Sequence, residues 1–305
     1  MKVYYSDVFE LPLPAGHRFP MAKYGRLRKR VSGFATSSGV ELACAPAPCI
    51  DEFSLVHTPA YLHKVTTGCL TELEQRRIGF PWSPKMVQRC LRSTSATIAA
   101  GRAALRDGWA VHLAGGTHHA FADAGQGFCI FNDVAVASRV LLREGPTQRV
   151  LVIDCDVHQG NGTASIFEKE DRVFTFSIHG DRNFPFRKCD GDLDIALQDG
   201  TADSEYLDIL QTVLDRDLPF GNADFVFYLA GADPFVGDRL GRLSLTKNGL
   251  AARDQIVLEM CRRTGTPVAI VMAGGYAPNL DDVVDIHTRT VEIAASLCLA
   301  GQVEK

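Results

Sequence analysis

Residues 149–162 read RVLVIDCDVHQGNG, a continuous apolar run that ends in two acidic residues and a histidine. Four other segments are apolar runs that end at glycine or polar residues: 110–116, 173–179, 225–230 and 267–273. Strands that are apolar on both faces and are separated by helix-length amphipathic segments indicate a parallel sheet covered by helices. We therefore predict an α/β fold with a mostly parallel sheet and helices on both of its faces.

The chain, residues 1–305, is predicted to form a single domain, because no internal repeat, low-complexity stretch or long linker divides it. Its 46% hydrophobic and 22% charged residues are typical of a globular protein. No apolar run reaches the length of a membrane span. Residues 1–7 lack the apolar stretch of a secretory signal and read as a first strand.

Charge and cysteine content exclude several classes of function. A formal net charge of −4 argues against a broad nucleic-acid-binding surface. The nine cysteines are odd in number, irregularly spaced and without a C-x-x-C pair, which indicates neither a disulfide framework nor a thiolate zinc site. Reduced thiols in a cytoplasmic protein are the favoured interpretation. Nothing in the sequence specifies an oligomeric state.

Asp154, Asp156 and His158 follow one another at intervals of two, which places them on one side of an extended strand. Asp233 lies at the end of another predicted strand, and the carboxyl ends of parallel strands meet at one edge of a sheet. Two carboxylates and an imidazole are ligands that zinc accepts at about 2 Å, with a further position left for water or substrate. Strand-end acids often only cap helices, but the added histidine favours a metal site.

His118 and His119 follow a glycine turn at residues 115–116. Adjacent side chains of an extended chain point in different directions, and the glycines permit the bend that brings both rings to one site. Each imidazole needs a partner that fixes its tautomer, and Asp154 and Asn161 on the neighbouring segment are candidates. The alternative is a pair of surface histidines in a loop.

Aromatic residues near these segments are the remaining candidates for the site. Tyr276 follows glycines 274–275 after the last apolar run, and its phenol is suited to donate a hydrogen bond to an oxyanion. Phe128, Phe184 and Phe186 are candidates for the lining of an apolar channel, although phenylalanine is more often a core residue.

These motifs, in this order and spacing, resemble the histone deacetylase superfamily. The resemblance extends from about residue 57 to residue 276, and two further segments are similar to the class IV branch and its bacterial relatives. The four motifs are GTHHA (116–120), GQGFCIFND (125–133), DCDVHQGNG (154–162) and AGGY (273–276), and the two segments are HRFPMAKY (17–24) and GFPWS (79–83).

The resemblance implies a metal centre and a second cation. Asp156, His158 and Asp233 would bind one Zn²⁺ per chain, although iron(II) or cobalt accepts the same ligands. The backbones of Asp154, Asp156 and His158, together with Ser177, would hold a structural K⁺ or Na⁺.

The resemblance also implies the catalytic groups of an amide hydrolysis. His118 would pair with Asp154, and His119 would pair with Asn161 and act as general base on the water. Either histidine would protonate the leaving amine, and Tyr276 would stabilise the oxyanion. Because Asn161 is uncharged, the pKa of His119 is expected to lie lower than a carboxylate partner would set it.

A tunnel for the acyl-lysine side chain is implied as well. Gly127 and Phe128 would form one wall, and either Phe184 or Phe186 would form the other. Arg26 is the candidate for an arginine of an internal channel. The acidic rim residue that grips the peptide backbone in class I members has no match here.

Other interpretations remain open. An arginase-like enzyme would need carboxylates for a second metal ion where residues 159–161 read QGN, so one metal is favoured. A non-catalytic acyl-lysine binder is the alternative of another class, although no expected ligand, histidine or tyrosine is missing.

The expected substrate is an acyl-lysine protein or peptide, with acyl chains of about eight carbons or more preferred over acetyl because each buried methylene contributes about 0.8 kcal/mol. A small acylated amine such as an acetylpolyamine is the alternative substrate. Glu72 and Glu74 are then candidate acids at the tunnel mouth, or else part of a solvated helix face.

Overall fold

All five apolar runs form strands. The computed structural model describes residues 1–303 of the chain, and its side chains through residue 300. The strands in this part are β1 (Lys2–Tyr5), β2 (Glu41–Cys44), β3 (Trp109–His112), β4 (Val150–Asp154), β5 (Val173–Gly180), β6 (Leu193–Leu197), β7 (Phe225–Leu229) and β8 (Val268–Val271).

Within the described residues these strands form one sheet in the order β2-β1-β3-β8-β7-β4-β5-β6, and every neighbouring pair is parallel. The α/β prediction is therefore confirmed. Strands β4, β7 and β8 are buried along their whole length, which explains their continuous apolar sequences. The edge strands β2 and β6 were not predicted, because they are partly exposed and mix polar with apolar residues.

Helices cover both faces of the sheet, as predicted. Alternate side chains of β4 enter two separate cores, Leu151 and Ile153 on one face of the sheet and Val150 and Val152 on the other. No helix among residues 1–303 has the length and apolar character that crossing a membrane requires. The helices are α1 (Ala22–Ser32), α2 (Ile50–Phe53), α3 (Pro59–Thr67), α4 (Glu72–Ile78), α5 (Pro84–Asp107), α6 (Asp133–Glu144), α7 (Asn161–Phe167), α8 (Asp203–Arg216), α9 (Lys247–Thr264) and α10 (Leu280–Val303).

A third apolar cluster lies outside the two sheet faces. It joins α3 and the beginning of α5 to the segment between β3 and α6, through residues such as Tyr61, Met86 and Phe131. The Tyr61 hydroxyl donates a hydrogen bond to the carbonyl of Ile130 over 2.9 Å. This cluster therefore supports the long segment that carries both predicted histidines.

Candidate active site

Three neighbouring strands, β8, β7 and β4, end at the same edge of the sheet and place the predicted polar residues beside one another. Asp154 is the last residue of β4, and Asp156 and His158 follow it directly. Asp233 follows β7, and all four side chains are buried. Asp156 and His158 line a cavity of about 640 Å³ that opens to solvent.

Asp156, His158 and Asp233 form a convergent group of possible metal ligands, whose ligand atoms all lie within 4.8 Å of one another. The Nδ1 atom of His158 lies 2.9 Å from Asp156 Oδ1 and 3.2 Å from Asp233 Oδ2. The other carboxylate oxygens accept backbone hydrogen bonds, from Gly274 N–H to Asp156 over 2.7 Å and from Val157 N–H to Asp233 over 3.0 Å. The backbone thus orients both carboxylates and leaves one oxygen of each facing the imidazole.

The charge and geometry of this group fit one divalent cation. Burial opposes a charge on His158, but Asp156 and Asp233 outweigh burial and raise the pKa of its imidazole to about 10. Oδ2 of Asp233 is buried and makes no well-aligned hydrogen bond, although it lies 3.2 Å from His158 Nδ1, as expected of an atom that can serve as a ligand. No second convergent group of three such side chains occurs in the part of the chain that the structure describes, which disfavours a two-metal, arginase-like centre.

His118 and His119 lie side by side next to this group, with ring centroids 4.2 Å apart. Nδ1 of His118 lies 2.6 Å from Asp154 Oδ2, and Nδ1 of His119 lies 2.9 Å from Asn161 Oδ1. Because Nδ1–H donates in both pairs, the Nε2 atom of each ring remains for other partners. The expected partners are thus adjacent, and both histidines line the cavity.

The two histidines have opposite tendencies to carry a proton. Burial opposes a charge on His118, but the carboxylates of Asp154 and Asp156 outweigh it and raise its pKa to about 9. Burial lowers the pKa of His119 well below its usual range, and the neighbouring His118 and His158 lower it further. The carboxylates thus favour a proton on His118 and burial favours a neutral His119, which are the complementary states that an acid and a base require. We call six side chains the floor of the cavity, namely those of the metal-ligand group, of the histidine pair and of the Asp154 that holds His118: Asp154, Asp156, His158, Asp233, His118 and His119.

The glycine turn before the histidines is held by a carboxylate that sequence reasoning did not single out. Gly116 has φ of 75°, and a Cβ atom there would lie 2.6 Å from the Cβ atom of Ala273. Asp133 accepts hydrogen bonds from Gly116 N–H over 3.0 Å and from Thr117 N–H over 2.7 Å. Asp133 is the last residue of the GQGFCIFND motif. Its neighbour Asn132 also carries a side-chain acceptor, and this pair of acceptors at the end of the motif is the sequence feature that could have identified Asp133.

Tyr276 lines the same cavity, with its ring centroid 6.5 Å from that of His158. Burial raises the pKa of its phenol well above the usual value, and Asp233 and Asp156 raise it further, so the hydroxyl keeps its proton. Two residues that the sequence reasoning missed hold Tyr276. Its backbone N–H donates to Asp238 over 2.5 Å, and Lys23 Nζ lies 5.3 Å from its ring centroid.

Comparison with known proteins identifies the family to which this arrangement belongs. The profile of the histone deacetylase domain matches residues 17–291. The chain belongs to the histone deacetylase family. It is 46% identical over 290 residues to an uncharacterised protein of Picosynechococcus sp., covering 94% of this chain and 95% of that protein. It is 29% identical over 281 residues to histone deacetylase 2 of Arabidopsis thaliana, covering 88% and 72% of the two chains. The crystal structure of a histone deacetylase homologue from Aquifex aeolicus has the same fold, with a TM-score of 0.81 and 24% sequence identity. The match covers 96% of this chain and 83% of that chain.

The structure distinguishes the two candidates for the second tunnel wall of this histone deacetylase family member. The ring of Phe184 lies edge-on to His119, with centroids 4.8 Å apart, whereas Phe186 is 89% exposed at the outer end of the cavity. Phe128 lines the cavity with Phe184. Gly127 between them has φ of 55°, and a Cβ atom there would lie 2.8 Å from His119 and 3.0 Å from Phe184. Glycine is therefore required at this position.

The candidate channel role of Arg26 is not supported. Arg26 is on the surface, pairs with Asp281 over 3.2 Å and does not line the cavity. Arg89, in contrast, is buried beside the site, where it donates to the Ser6 hydroxyl and lies 4.8 Å from the ring centroid of Tyr24. It lines a side cavity of about 50 Å³, which shares Tyr24 with the main one. A buried arginine of this kind carries no local sequence signal.

Ser177 lies beside Asp154 in the sheet, and the two residues line a cavity of about 10 Å³ on the side of β4 and β5. The Ser177 hydroxyl lies 2.9 Å from Nδ1 of His179. Oxygen atoms of a serine and an aspartate are suitable ligands for a monovalent cation, so the residues fit the predicted K⁺ or Na⁺. Occupation of this site by K⁺ or Na⁺ stays a prediction.

Proposed function

We propose that this member of the histone deacetylase family is a zinc-dependent amidohydrolase that removes an acyl group from acyl-lysine. The observation that carries the proposal is the pair of adjacent histidines, each held at Nδ1 by Asp154 or Asn161, next to a convergent group of metal ligands. Hydrolysis of an amide needs both a base for the water and an acid for the leaving amine. An arrangement that served binding alone would have no use for this pair.

Each residue of the floor has a role in the proposed reaction. Asp156, His158 and Asp233 would hold the zinc ion. A bound zinc ion supplies a Lewis acid that polarises the acyl carbonyl and acidifies water. His119 accepts a proton from the attacking water, and His118 donates a proton to the amine nitrogen as the carbon–nitrogen bond breaks.

Asp154 of the floor and two residues outside it, Tyr276 and Asn161, support these steps. The Tyr276 phenol keeps its proton and donates a hydrogen bond to the oxyanion that forms at the carbonyl carbon. Asp154 and Asn161 hold His118 and His119 with their Nε2 atoms available. Burial and the neighbouring His118 and His158 lower the pKa of His119, and the uncharged Asn161 does not offset them as a carboxylate would, so His119 can act as a base.

The proposal is tested by hydrolysis of a fluorogenic acetyl-lysine peptide, followed before and after removal of metal by a chelator. Activity should be lost with the metal and return when one equivalent of zinc is added. Iron(II) and cobalt, added in parallel, identify the metal that restores the highest kcat. A zinc-loaded protein that binds the peptide without cleaving it would instead be an acyl-lysine binder.

The volume of the side cavity bears on the length of the acyl chain that the protein would accept. At about 50 Å³ it has room for roughly a few water molecules. An eight-carbon chain would require rings such as Phe19, Tyr24 or Phe128 to move. We therefore expect acetyl or another short acyl group to give the higher kcat/KM, in contrast to the long-chain preference that the sequence suggested. A series of acyl chains on one peptide decides between them.

An acetylpolyamine substrate has little support. Neither candidate mouth acid lines the cavity: Glu72 pairs with Arg76, and Glu74 pairs with Lys64 and caps helix α4 at Thr71. They belong to a solvated helix face, which was the alternative interpretation. Membership of the class IV branch and a cytoplasmic location stay predictions.

A further inference from the structure

The outer part of the cavity is lined by arginines. All six have exposed side chains, and the cavity wall contains a single carboxylate, Asp156 of the floor. We call these six residues the arginine ring: Arg18, Arg76, Arg77, Arg182, Arg239 and Arg242.

The arginine ring is assembled from four separate parts of the chain. Arg18 precedes α1, Arg76 and Arg77 lie in the last turn of α4, and Arg182 follows β5. The other two lie between β7 and α9. A solvated helix face would explain Arg76 and Arg77 alone, but it does not explain the convergence of four segments on one opening.

Most of the positive charge of the arginine ring is not neutralised within the protein. Arg182 and Arg242 share one carboxylate, Asp199, at 4.0 and 3.1 Å. Arg76 lies 3.5 Å from Glu72 in a pair that is largely exposed on both sides. The other three have no ion-pair partner among the described residues: Arg18, Arg77 and Arg239.

Two of these three arginines are attached to the tunnel walls. Arg77 Nε donates to Gln126 Oε1 over 3.3 Å, beside the Gly127–Phe128 wall. Arg239 Nε donates to the carbonyl of Tyr276 over 3.3 Å. Each guanidinium therefore has one edge fixed by the wall and other N–H groups available. An anion bound by them would lie next to the amine-bearing part of a substrate in the tunnel.

Asp238 directly precedes Arg239 in the sequence, but its carboxylate already accepts hydrogen bonds from the backbone. It accepts hydrogen bonds from the N–H groups of Leu240, Gly241 and Tyr276. The chain as a whole has a formal net charge of −4, so the mouth has the opposite sign to the rest of the molecule. Such a field attracts anions to the opening and repels cations such as polyamines.

We propose that the arginine ring selects acylated amines whose amine-bearing part carries carboxylates close to the scissile amide. The planar guanidinium group matches a carboxylate through two parallel hydrogen bonds, which an ammonium group cannot reproduce. The carboxylates belong either to acidic residues that flank an acyl-lysine or to the free α-carboxylate of acyl-lysine itself. This inference rests on the proposed acyl-lysine hydrolysis, and it names the substrate class of the same site.

The test uses the zinc-loaded full-length protein and three acetyl-lysine peptides of equal length, flanked by aspartate, by asparagine or by lysine. Free Nε-acetyl-lysine is the fourth substrate. We expect kcat/KM for the aspartate peptide to exceed that for the lysine peptide about tenfold at low salt, as two or three exposed charge pairs would produce. The ratio should approach one near 1 M salt, where the screening length falls to about 3 Å. Higher kcat/KM for free acetyl-lysine than for the aspartate peptide would assign the carboxylate to the amino acid itself.

The double variant Arg77→Gln/Arg239→Gln should reduce the aspartate-to-lysine ratio several-fold. A ratio of two substrates cancels any loss of activity that is common to both. The control is Arg143→Gln/Arg216→Gln, which removes the same charge from exposed positions at the ends of α6 and α8 and should leave the ratio unchanged. Equal loss in both double variants would show an effect of net charge and would overturn the proposal.

The outcomes separate this proposal from the proposed function. Zinc-dependent hydrolysis of all three peptides at equal kcat/KM would overturn charge selection and leave the amidohydrolase standing. Fluorescence anisotropy with the same peptides, labelled at one end, measures affinity without turnover. If no peptide is cleaved but the aspartate peptide binds more tightly, the arginine ring is supported and hydrolysis is wrong.

Discussion

The floor and the mouth of the cavity differ in burial and in construction. The floor consists of buried groups, each held by a specific partner, as in the pairs His118–Asp154 and His119–Asn161. The mouth consists of exposed arginines, of which only some have a carboxylate partner. A neutral amide can therefore be held at the floor while the charged part of the substrate stays at the opening. In the proposed function, hydrolysis thus takes place at the floor and substrate selection at the mouth of the same cavity.

This difference predicts how much a substitution in each region should change. A buried charge that loses its partner stays desolvated and unpaired, which costs several kcal/mol. An exposed charge is screened by water and salt and contributes about 0–1 kcal/mol. Large effects on stability and turnover should therefore be confined to the floor and the residues behind it, and mouth substitutions should change mainly substrate preference.

The largest expected effect is loss of the metal ligands. Asp156→Ala, His158→Ala or Asp233→Ala should each abolish tight zinc binding and lower kcat about 10³-fold or more, because the zinc ion of the proposed function would supply both the activated water and the polarised carbonyl. Zinc content by mass spectrometry and turnover are the two readouts. Asp154→Asn is the matched control, since it should retain zinc and lose turnover. One tight equivalent of zinc in the variant Asp156→Ala/His158→Ala would contradict the assignment.

The next largest expected effect is on the free energy of unfolding, through an arginine that is buried behind the floor. Arg253 is buried, donates to the carbonyls of Gly231 and Cys155 over 2.6 and 3.2 Å, and pairs with Asp254. Arg253→Met should lower the free energy of unfolding by about 3–5 kcal/mol in urea, because Asp254 is left as an unpaired buried charge. Arg242→Met at the mouth should change it by no more than about 0.5 kcal/mol. Equal losses in the two variants would remove the distinction between the regions.

Tyr276 lies between the two regions. We assign its phenol to stabilisation of the oxyanion in the transition state and not to binding of the metal. Tyr276→Phe should lower kcat about 10²–10³-fold, as loss of one oxyanion donor usually does, with zinc content unchanged. Tyr5→Phe, on strand β1 and outside the cavity lining, is the control for loss of a hydroxyl. A Tyr276→Phe enzyme with nearly normal kcat would place the phenol outside the transition state.

The smallest effect concerns pH and a histidine that supports the floor. His57 donates from Nδ1 to the Phe121 carbonyl and accepts at Nε2 from Asn132 N–H, so its neutral form is fixed. Burial lowers its pKa to about 4, despite opposing hydrogen bonds. Its contribution is therefore complete above about pH 6.5 and is lost as pH falls from there towards 4, because the unfolded chain binds the proton first. One pKa unit corresponds to about 1.4 kcal/mol, so the full loss is on the order of 3 kcal/mol.

The measurement is the free energy of unfolding between pH 7 and pH 4. His57→Gln should flatten this dependence, whatever its effect at pH 7. His63→Gln, at an exposed position on α3, should leave the slope as it is in the parent protein. An unchanged slope in His57→Gln would assign the acid sensitivity to other buried groups.

The floor was predictable because two regular geometries determine it. The first is the end of β4, which carries Asp154 to the edge of the sheet; Asp156 and His158 follow in the bend beyond the strand, and not on the extended strand that their spacing predicted. The second is parallel pairing, which brings Asp233 and Tyr276 to the same edge. Both geometries depend on where the strands lie, and the pattern of apolar residues in the sequence predicts the strands.

The rest depends on loops and on side chains that pack over long sequence distances. Phe184 and Phe186 have the same local sequence character, and only the path of their loop makes one of them face His119. Asp133 and Asp238 act on backbone N–H groups far along the chain. The arginine ring has no periodicity, because its members converge only when helix α4 and three loops meet.

The place of β8 in the sheet determines when the active site can form during synthesis. Its residues are made about 160 positions after β3, yet β8 lies between β3 and β7 and pairs with both. At 5–20 residues per second the ribosome needs roughly 8–30 s for that interval. Until then the chain carries two partial sheets with unpaired edges, which are prone to wrong pairing. His118 follows one partial sheet and Asp156 the other, so we expect catalytic competence to arise only at this last step, in a nascent chain that needs protection until it is complete.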